Sequence, residues 1–206
     1  MKRHMVTMRV VLKLIICVGF AILAALALAA WRSGDVIYTA YEWLSPARFH
    51  QFDALIRNVA AKNRLDPMLV KAVVWRESRF DPRKYGTAGE RGLMQVSERA
   101  ASEWAKETHV ENFQADDLFD AKTNLEAGAW YLRRAFQHWQ KQPQPAAFAL
   151  AEYNAGASRA QRWANNDPES TLADEKFRAS IDFPGTRKYV DSILARYRFY
   201  RQRGRM

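Results

Sequence analysis

The hydrophobic positions of this chain follow two patterns. From Leu14 to Ala30 no charged residue interrupts the apolar run, and with Val10 to Leu12 the stretch approaches the ~20 residues that cross a bilayer as a helix. Beyond it, apolar residues recur at three- and four-residue intervals, the period of helices that bury one face. Ser45-Pro46 opens one such segment through about Lys62, Asp66-Pro67 opens another, and Ser97 a third to about Lys106. Asp120 caps a long segment from Ala121 to about Gln140, with Leu125, Ala129, Leu132 and Phe136 on one face. Pro145 starts Ala146 to Tyr153, a short segment runs from Ser158 to Ala164, and Thr186 to about Arg201 closes the series. No run alternates as a half-buried strand would, so the expected fold is all-α, or α with a small β element. Three stretches break the pattern: Tyr85 to Gly92, the Pro143/Pro145 turn, and a polar stretch from Asn165 to Gly185 that holds Pro168 and Pro184. Loops as long as the last are often functional.

A chain of 206 residues has room for one compact domain and an appendage. The expected division is residues 1–31 as cytoplasmic tail and transmembrane anchor, 32–50 as juxtamembrane linker, and 51–206 as the working domain. Lys2, Arg3, Arg9 and Lys13 precede the apolar run, whereas Arg32 and Arg48 after it are balanced by Asp35 and Glu42. The positive-inside rule then keeps the N-terminus in the cytoplasm and exports the remainder. Ala27-Leu28-Ala29 also has the form of a signal-peptidase site, so a cleaved leader is the competing reading. Trp31, Tyr38, Tyr41 and Trp43 suit an interfacial aromatic belt and favour a retained anchor.

Cys17, the only cysteine, lies inside the apolar run, which excludes an intramolecular disulfide and a cysteine nucleophile or metal site in the exported part. The net charge of +10 invites a nucleic-acid reading, but no helix-turn-helix, zinc knuckle or ribonucleoprotein motif accompanies it. Much of the excess sits in the N-terminal tail and in Arg196, Arg198, Arg201, Arg203 and Arg205, where a solvated face, lipid head groups or wall carboxylates account for it. No nucleic-acid partner is expected.

The chemistry concentrates at Glu77. If Asp66-Pro67 starts a helix and Asp81-Pro82 ends it, Glu77 lies in the last turn and shares a face with Val70, Val73 and Val74. Burial and the negative end of the helix dipole would both disfavour its charged form and raise its pKa, as a general acid near neutral pH requires. Pairing with Arg76 or Arg79 on a frayed helix end is the plainer alternative. Two further blocks follow. Glycines at 86, 89 and 92 lead into Arg91-Gly92-Leu93-Met94-Gln95, and Glu152-Tyr153-Asn154-Ala155-Gly156 ends a later helix.

Glu77-Ser78, Gly92-Leu93-Met94-Gln95 and Tyr153-Asn154-Ala155-Gly156, in this order, resemble the catalytic domain of lytic transglycosylases of the soluble type, relatives of goose-type lysozyme. The resemblance extends from about Phe52 to Arg198, and Phe183-Pro184-Gly185-Thr186-Arg187-Lys188-Tyr189 looks like the family's C-terminal block. It implies a lysozyme-like helical domain acting on bacterial peptidoglycan, with Glu77 catalytic. It also implies that Ser78, Met94, Gln95, Tyr153, Asn154 and Tyr189 bind substrate, Tyr153 and Tyr189 approaching the cleft and Asn154 bracing the loop. Gly86 stands where many members have a serine, Ser97 where proline is common, and Glu152 where a small residue is usual.

Hydrolysis of a glycosidic bond ordinarily takes two carboxyl groups. The resemblance implies a one-glutamate route: cleavage between N-acetylmuramic acid and N-acetylglucosamine, with attack by the sugar's own C6 hydroxyl leaving a 1,6-anhydro end. No metal or organic cofactor is required, and His4, His50, His109 and His138 are not spaced as ligand pairs. A water-using muramidase with Glu152, Asp81 or Glu90 as second carboxylate is one alternative. A catalytically silent, membrane-tethered wall-binding module is another. The implied partners are glycan strands, the membrane through the N-terminal helix, and cell-envelope assembly proteins. The implied location is the bacterial inner membrane, single-pass, with the catalytic part in the periplasm or otherwise outside the cytoplasm.

Overall fold

The computed structural model describes residues 2–32, 35–165 and 174–204. Its contacts divide the chain into two compact units, Met1–Leu44 and Ser45–Met206. The first holds α1 (Lys2–Arg32) and α2 (Val36–Leu44). Within α1 the window Val11–Leu28 has a mean hydropathy of 2.7 and none of it is buried, so the helix is long and apolar enough to cross a membrane. Helix α2 occupies part of the stretch expected as a linker, and the side chain of Trp31 lies outside the described residues.

In the second unit the segment from Ser45 to Lys62 is two helices, α3 (Pro46–His50) and α4 (Asp53–Lys62), rather than one. Phe52 leaves the helical region at φ −102°, ψ 3°, and His50 Nδ1 turns back to within 2.7 Å of Asp53 Oδ2 across the break. Helix α5 (Pro67–Ser78) begins as its sequence dictates. Pro67 needs no amide partner in the first turn, and the Asp66 carboxylate accepts the Met68 N–H at 2.8 Å. It stops three residues earlier than Asp81-Pro82 would force. Arg79 and Phe80 are both left-handed, φ 55° and 61°, a conformation that costs non-glycine residues energy. Packing offsets that cost: Phe80 is buried, and the Arg79 guanidinium lies 3.8 Å over the Trp75 ring while donating to the Trp75 carbonyl at 2.9 Å.

Expected to bury one stripe, α5 is instead buried on nearly every side, from Leu69 through Trp75 and again at Ser78. It packs against α4 and α11 (Pro184–Arg203). Even Lys71 is buried, its ammonium donating to Asp53 Oδ1 of α4 at 2.7 Å. Arg196, expected on a solvated basic face, is fully buried with its guanidinium 4.2 Å over the Trp75 ring. Arg205 lies outside the described residues.

The remaining helices are α6 (Glu98–Glu107), α7 (Ala121–His138), α8 (Pro145–Ala155), α9 (Ala157–Asn165) and α10 (Asp174–Ser180), with a 3-10 turn at Ala115–Phe119. Ser97 and Asp120 cap α6 and α7 by accepting the amides of Ala100 and Thr123. Helix α8 packs on α7, α9, α10 and α11. The stretch expected as a long loop contains α10; residues 166–173, Pro168 among them, lie outside the described residues. Among the described residues the β element is a pair of isolated antiparallel bridges, Tyr85 with Arg91 and Arg91 with Val96, which fold the glycine-containing loop back on itself.

Candidate active site

That loop is the first wall of a cleft of about 540 Å³. Its shape depends on one side chain from α7. Asn124, fully buried, donates from Nδ2 to the carbonyls of Arg91 (2.7 Å) and Leu118 (2.9 Å) and accepts the Met94 N–H at 2.8 Å. Gly92 sits against it at φ 74°, and a Cβ there would collide with Asn124 and with the Leu118 carbonyl. A glycine is required both for the dihedral and for the approach. Gln95 follows at φ 47°, its amide nitrogen donating to the carbonyls of Lys84 (3.1 Å) and Gly92 (3.0 Å).

Glu77, in the last turn of α5, lines the cleft beside Arg76, Lys84, Glu90, Gln95, Tyr131, Tyr153 and Asn154. Burial pushes its carboxyl up from 4.5 to about 7. The Tyr189 hydroxyl, which donates to Glu77 Oε1 at 2.6 Å, opposes that rise, as do the charges of Arg76 and Lys84; the charge of Glu90 adds to it. The plain alternative of a solvent-facing ion pair is not what forms. Arg79 is occupied with Trp75, and the Arg76 guanidinium lies 5.5 Å over the Tyr189 ring.

Tyr153 lines the cleft on α8, its hydroxyl donating to the Met94 carbonyl at 2.9 Å and its ring edge-on to Tyr131. Burial, then the nearby Glu77 charge, raises the pKa of both Tyr153 and Tyr189 well above the usual phenol value. Asn154 lines the cleft and accepts the Thr186 hydroxyl at 2.8 Å, which joins the end of α8 to the start of α11. Three expected contact residues lie outside the cleft wall: Tyr189 is buried and reaches the cleft only through Glu77, and Met94 and Ser78 lie elsewhere. The Met94 side chain is fully buried against Gly128 of α7, because the Asn124 clamp turns the backbone inward there. Ser78 is also buried, and its hydroxyl donates back to the Val74 carbonyl at 3.2 Å.

The motifs do not mark Tyr131, Arg76 and Lys84 as cleft groups, and Asn124 lies outside all of them, whereas Glu90 is a candidate second carboxylate. Asn124 has one legible signal, a polar residue at the edge of the apolar face of α7, next to Leu125. Of the candidate second carboxylates, Asp81 Oδ1 accepts the Arg83 N–H. Glu152 reaches the rim, but its Oε2 lies 2.7 Å from both Trp139 Nε1 and His138 Nδ1. Glu90 faces the cleft with its Oε2 taking the Ala88 N–H at 3.1 Å, and it fills the space beside Gly86 where a side chain would otherwise stand. Among the described residues no three His, Cys, Asp or Glu side chains gather as a metal-binding group.

A buried helix that carries a glutamate, its carboxyl raised to about 7, into an open cleft of an otherwise helical unit is the arrangement of a lysozyme-like domain. The comparisons with known proteins make the assignment specific. Residues 54–175 match the transglycosylase SLT domain, and the chain belongs to that family. It is 27% identical over 151 residues to the soluble lytic murein transglycosylase of Escherichia coli K12, covering 73% of this chain and 23% of that protein. It is 28% identical to membrane-bound lytic murein transglycosylase F of Desulfosudis oleivorans, covering 81% of this chain and 42% of the relative. The fold matches an inactive glutamate-to-glutamine mutant of lytic transglycosylase Slt from Pseudomonas aeruginosa, with a TM-score of 0.67 and 25% identity over 73% of this chain and 24% of that one. The chain spans about a quarter of the length of the first relatives it matches.

Proposed function

We propose that the protein is a membrane-anchored peptidoglycan lytic transglycosylase that cuts the β-1,4 bond between N-acetylmuramic acid and N-acetylglucosamine without water. The observation that carries this reading is Glu77, held near pKa 7 by burial in a cleft and hydrogen-bonded by Tyr189. In its acid form Glu77 donates a proton to the glycosidic oxygen as the bond from that oxygen to C1 breaks. The positive charge that develops at C1 is supported by the sugar's acetamido oxygen. The C6 hydroxyl then attacks C1 and returns its proton to the Glu77 carboxylate, closing the 1,6-anhydro ring and regenerating the acid. The two products together have the mass of the substrate. The Tyr189 hydroxyl holds the carboxylate in the interval between the two proton transfers, and Gln95, Tyr153 and Asn154 position the sugars.

A water-using muramidase is the second reading, and Glu90 is the carboxylate that favours it, since it faces the cleft while Glu152 and Asp81 are engaged elsewhere. Mass spectrometry of muropeptides released from purified sacculi in ¹⁸O-water separates the two. Anhydro ends without solvent oxygen support the transglycosylase; reducing ends that acquire ¹⁸O at cleavage, and lose it in Glu90→Gln, establish the hydrolase. A silent wall-binding module would release nothing. We further propose that α1 is retained as a single inner-membrane span with the catalytic unit in the periplasm. N-terminal sequencing of the mature protein tests it: a start near Ala30 would show a cleaved leader.

A further inference from the structure

Helix α2 has its polarity reversed relative to a helix on a soluble surface. Among its described side chains the exposed ones are Ile37, Tyr38, Ala40, Tyr41 and Leu44, every one apolar or aromatic. Ile37, Tyr41 and Leu44 are 67%, 55% and 79% exposed and lie at i, i+4 and i+7, so they form one continuous ridge. The polar residues Thr39 and Glu42 lie on the other face and are buried. Water favours the opposite arrangement, with charge outward and the apolar stripe covered. No charged side chain interrupts the exposed face.

What covers it follows from its place in the chain. Helix α2 starts at Val36, shortly after the apolar window of α1 ends at Leu28, and so falls where a chain leaving a bilayer passes the head groups. Tyrosine is enriched at that depth, its ring in the acyl boundary and its hydroxyl in the wet layer. Tyr38 and Tyr41, with ring centroids 6.0 Å apart, both sit on or beside the exposed ridge. A second copy of the chain is a poor fit. Nine residues make a helix roughly 14 Å long and 10 Å across, a footprint far short of the ~800 Å² per partner of a stable interface.

We infer that α2 lies in the plane of the outer membrane surface of its bilayer, with Ile37, Tyr41 and Leu44 in lipid, as a second and interfacial contact beyond the span. This rests on the reading of α1 as a retained anchor. Only Ser45 separates the end of α2 at Leu44 from the start of α3 at Pro46, so the tether between an interfacial α2 and the catalytic unit is one residue long. The enzyme would then be confined to glycan strands nearest the membrane, where a flexible linker would have let it range through the wall.

The test uses the full chain reconstituted in phosphatidylethanolamine–phosphatidylglycerol vesicles that carry nitroxide-labelled lipids. An environment-sensitive fluorophore is placed on native Cys17, or on Tyr41→Cys or Leu44→Cys in a Cys17→Ser background. The expected result is blue-shifted emission at 41 and 44, quenched several-fold more by nitroxides about 5–10 Å below the head groups than by deep ones, with the reverse order at Cys17. Deep quenching at Cys17 with water-like, unquenched emission at 41 and 44 would overturn the inference and leave the anchor standing. Blue-shifted but unquenched labels at 41 and 44 would also overturn it, showing the face covered by a second copy. Absence of quenching at Cys17 would refute the anchor and the inference with it, a failure distinct from that of α2 alone.

Discussion

Replacing Tyr189 with phenylalanine removes one hydroxyl and leaves a buried ring of the same shape between α11 and α5. That hydroxyl donates to Glu77 Oε1 at 2.6 Å and opposes the burial that drives the carboxyl to about 7. A hydrogen bond to a charged group contributes about 1.5–3 kcal/mol. The same hydroxyl also bonds the neutral acid, though more weakly, so only part of that value discriminates between the two protonation states. At about 1.4 kcal/mol per pKa unit, the loss raises Glu77 by about one unit, to about 8. The sign is then fixed. Glu77 works first as an acid, so activity falls as pH rises through its pKa, and the alkaline limb of the rate profile moves up from about 7 to about 8. The maximal rate drops a few-fold at the same time, because a less acidic carboxyl is a poorer proton donor and its anion is less well held. Initial rates of muropeptide release from purified sacculi between about pH 5 and 9 read both effects, with circular dichroism as the check on folding. An alkaline limb that stays near 7, or moves toward acid, would refute the assignment of Tyr189 as a group that lowers the pKa of Glu77 against its burial.

Glu77→Gln is expected to fold and to lose at least about 10²-fold in turnover, since the amide has no acidic proton; near-normal release of muropeptides would remove Glu77 from the mechanism. The same variant tests burial through stability. A carboxyl raised from 4.5 to about 7 in the folded state contributes stability below about pH 4.5 that is lost as pH rises through 7, so Glu77→Gln should be the more stable protein at pH 8, by up to about 3 kcal/mol. Thermal melts at pH 4 and pH 8 that show the same difference would contradict it. Gly86→Ser should impair cleavage because its Cβ meets Glu90 and Gln95, and Glu90→Ala should relieve that defect; additive losses in the double-mutant cycle would show that the two sites are independent. Gly92→Ala should destabilise the loop by more than about 1 kcal/mol, both from its positive φ and from collision with Asn124; an unchanged melting temperature would be the contrary result. Lys71→Ala removes the ammonium from the buried Asp53 carboxylate, which keeps only His50 at 2.7 Å, for a loss of up to about 3–5 kcal/mol, and denaturant midpoints with and without Asp53→Asn measure how much of it belongs to the pair.

The helices were legible where the sequence supplies local punctuation. Asp66-Pro67, Ser97, Asp120 and Pro145 each carry their start signal in the residue itself, a capping oxygen or a missing amide, and the structure begins helices at or beside all four. The end of α5 was less legible, because it depends on packing: Arg79 and Phe80 adopt left-handed backbone only since Trp75 and the core receive their side chains. Arg196 looked like one member of a basic run for the same reason. Spacing along one helix cannot reveal that an aromatic ring from another waits for a cation. In the cleft, the motif order pointed to Glu77, Gln95, Tyr153 and Asn154, which converge there. It did not indicate which motif residues act through their backbone. Met94 offers the cleft wall its carbonyl, and its side chain serves the core.

The site is a property of two helices far apart in sequence. Tyr189 and Glu77 are separated by 112 residues, and the same α11 that bonds the carboxyl at one end of α5 bonds its N-cap at the other, where the Tyr197 hydroxyl donates to Asp66 Oδ2 at 2.6 Å. A glutamate forced toward pKa 7 strains its host, since near neutral pH the fold must either bury a charge or retain a proton that water would take. That strain falls on the last turn of α5, whose carbonyls have no further helical partners and whose cap is left-handed. An isolated α5 would relieve it by fraying, which would carry Glu77 into solvent and return its acidity to that of an ordinary carboxyl. The tyrosines of α11 prevent this from both ends, with Val190, Ile193 and Leu194 buried between them. Glu77 therefore owes its place in the cleft, and the burial that raises its pKa, to the packing of α11 on α5, while the Tyr189 hydroxyl of the same helix limits how far that rise goes.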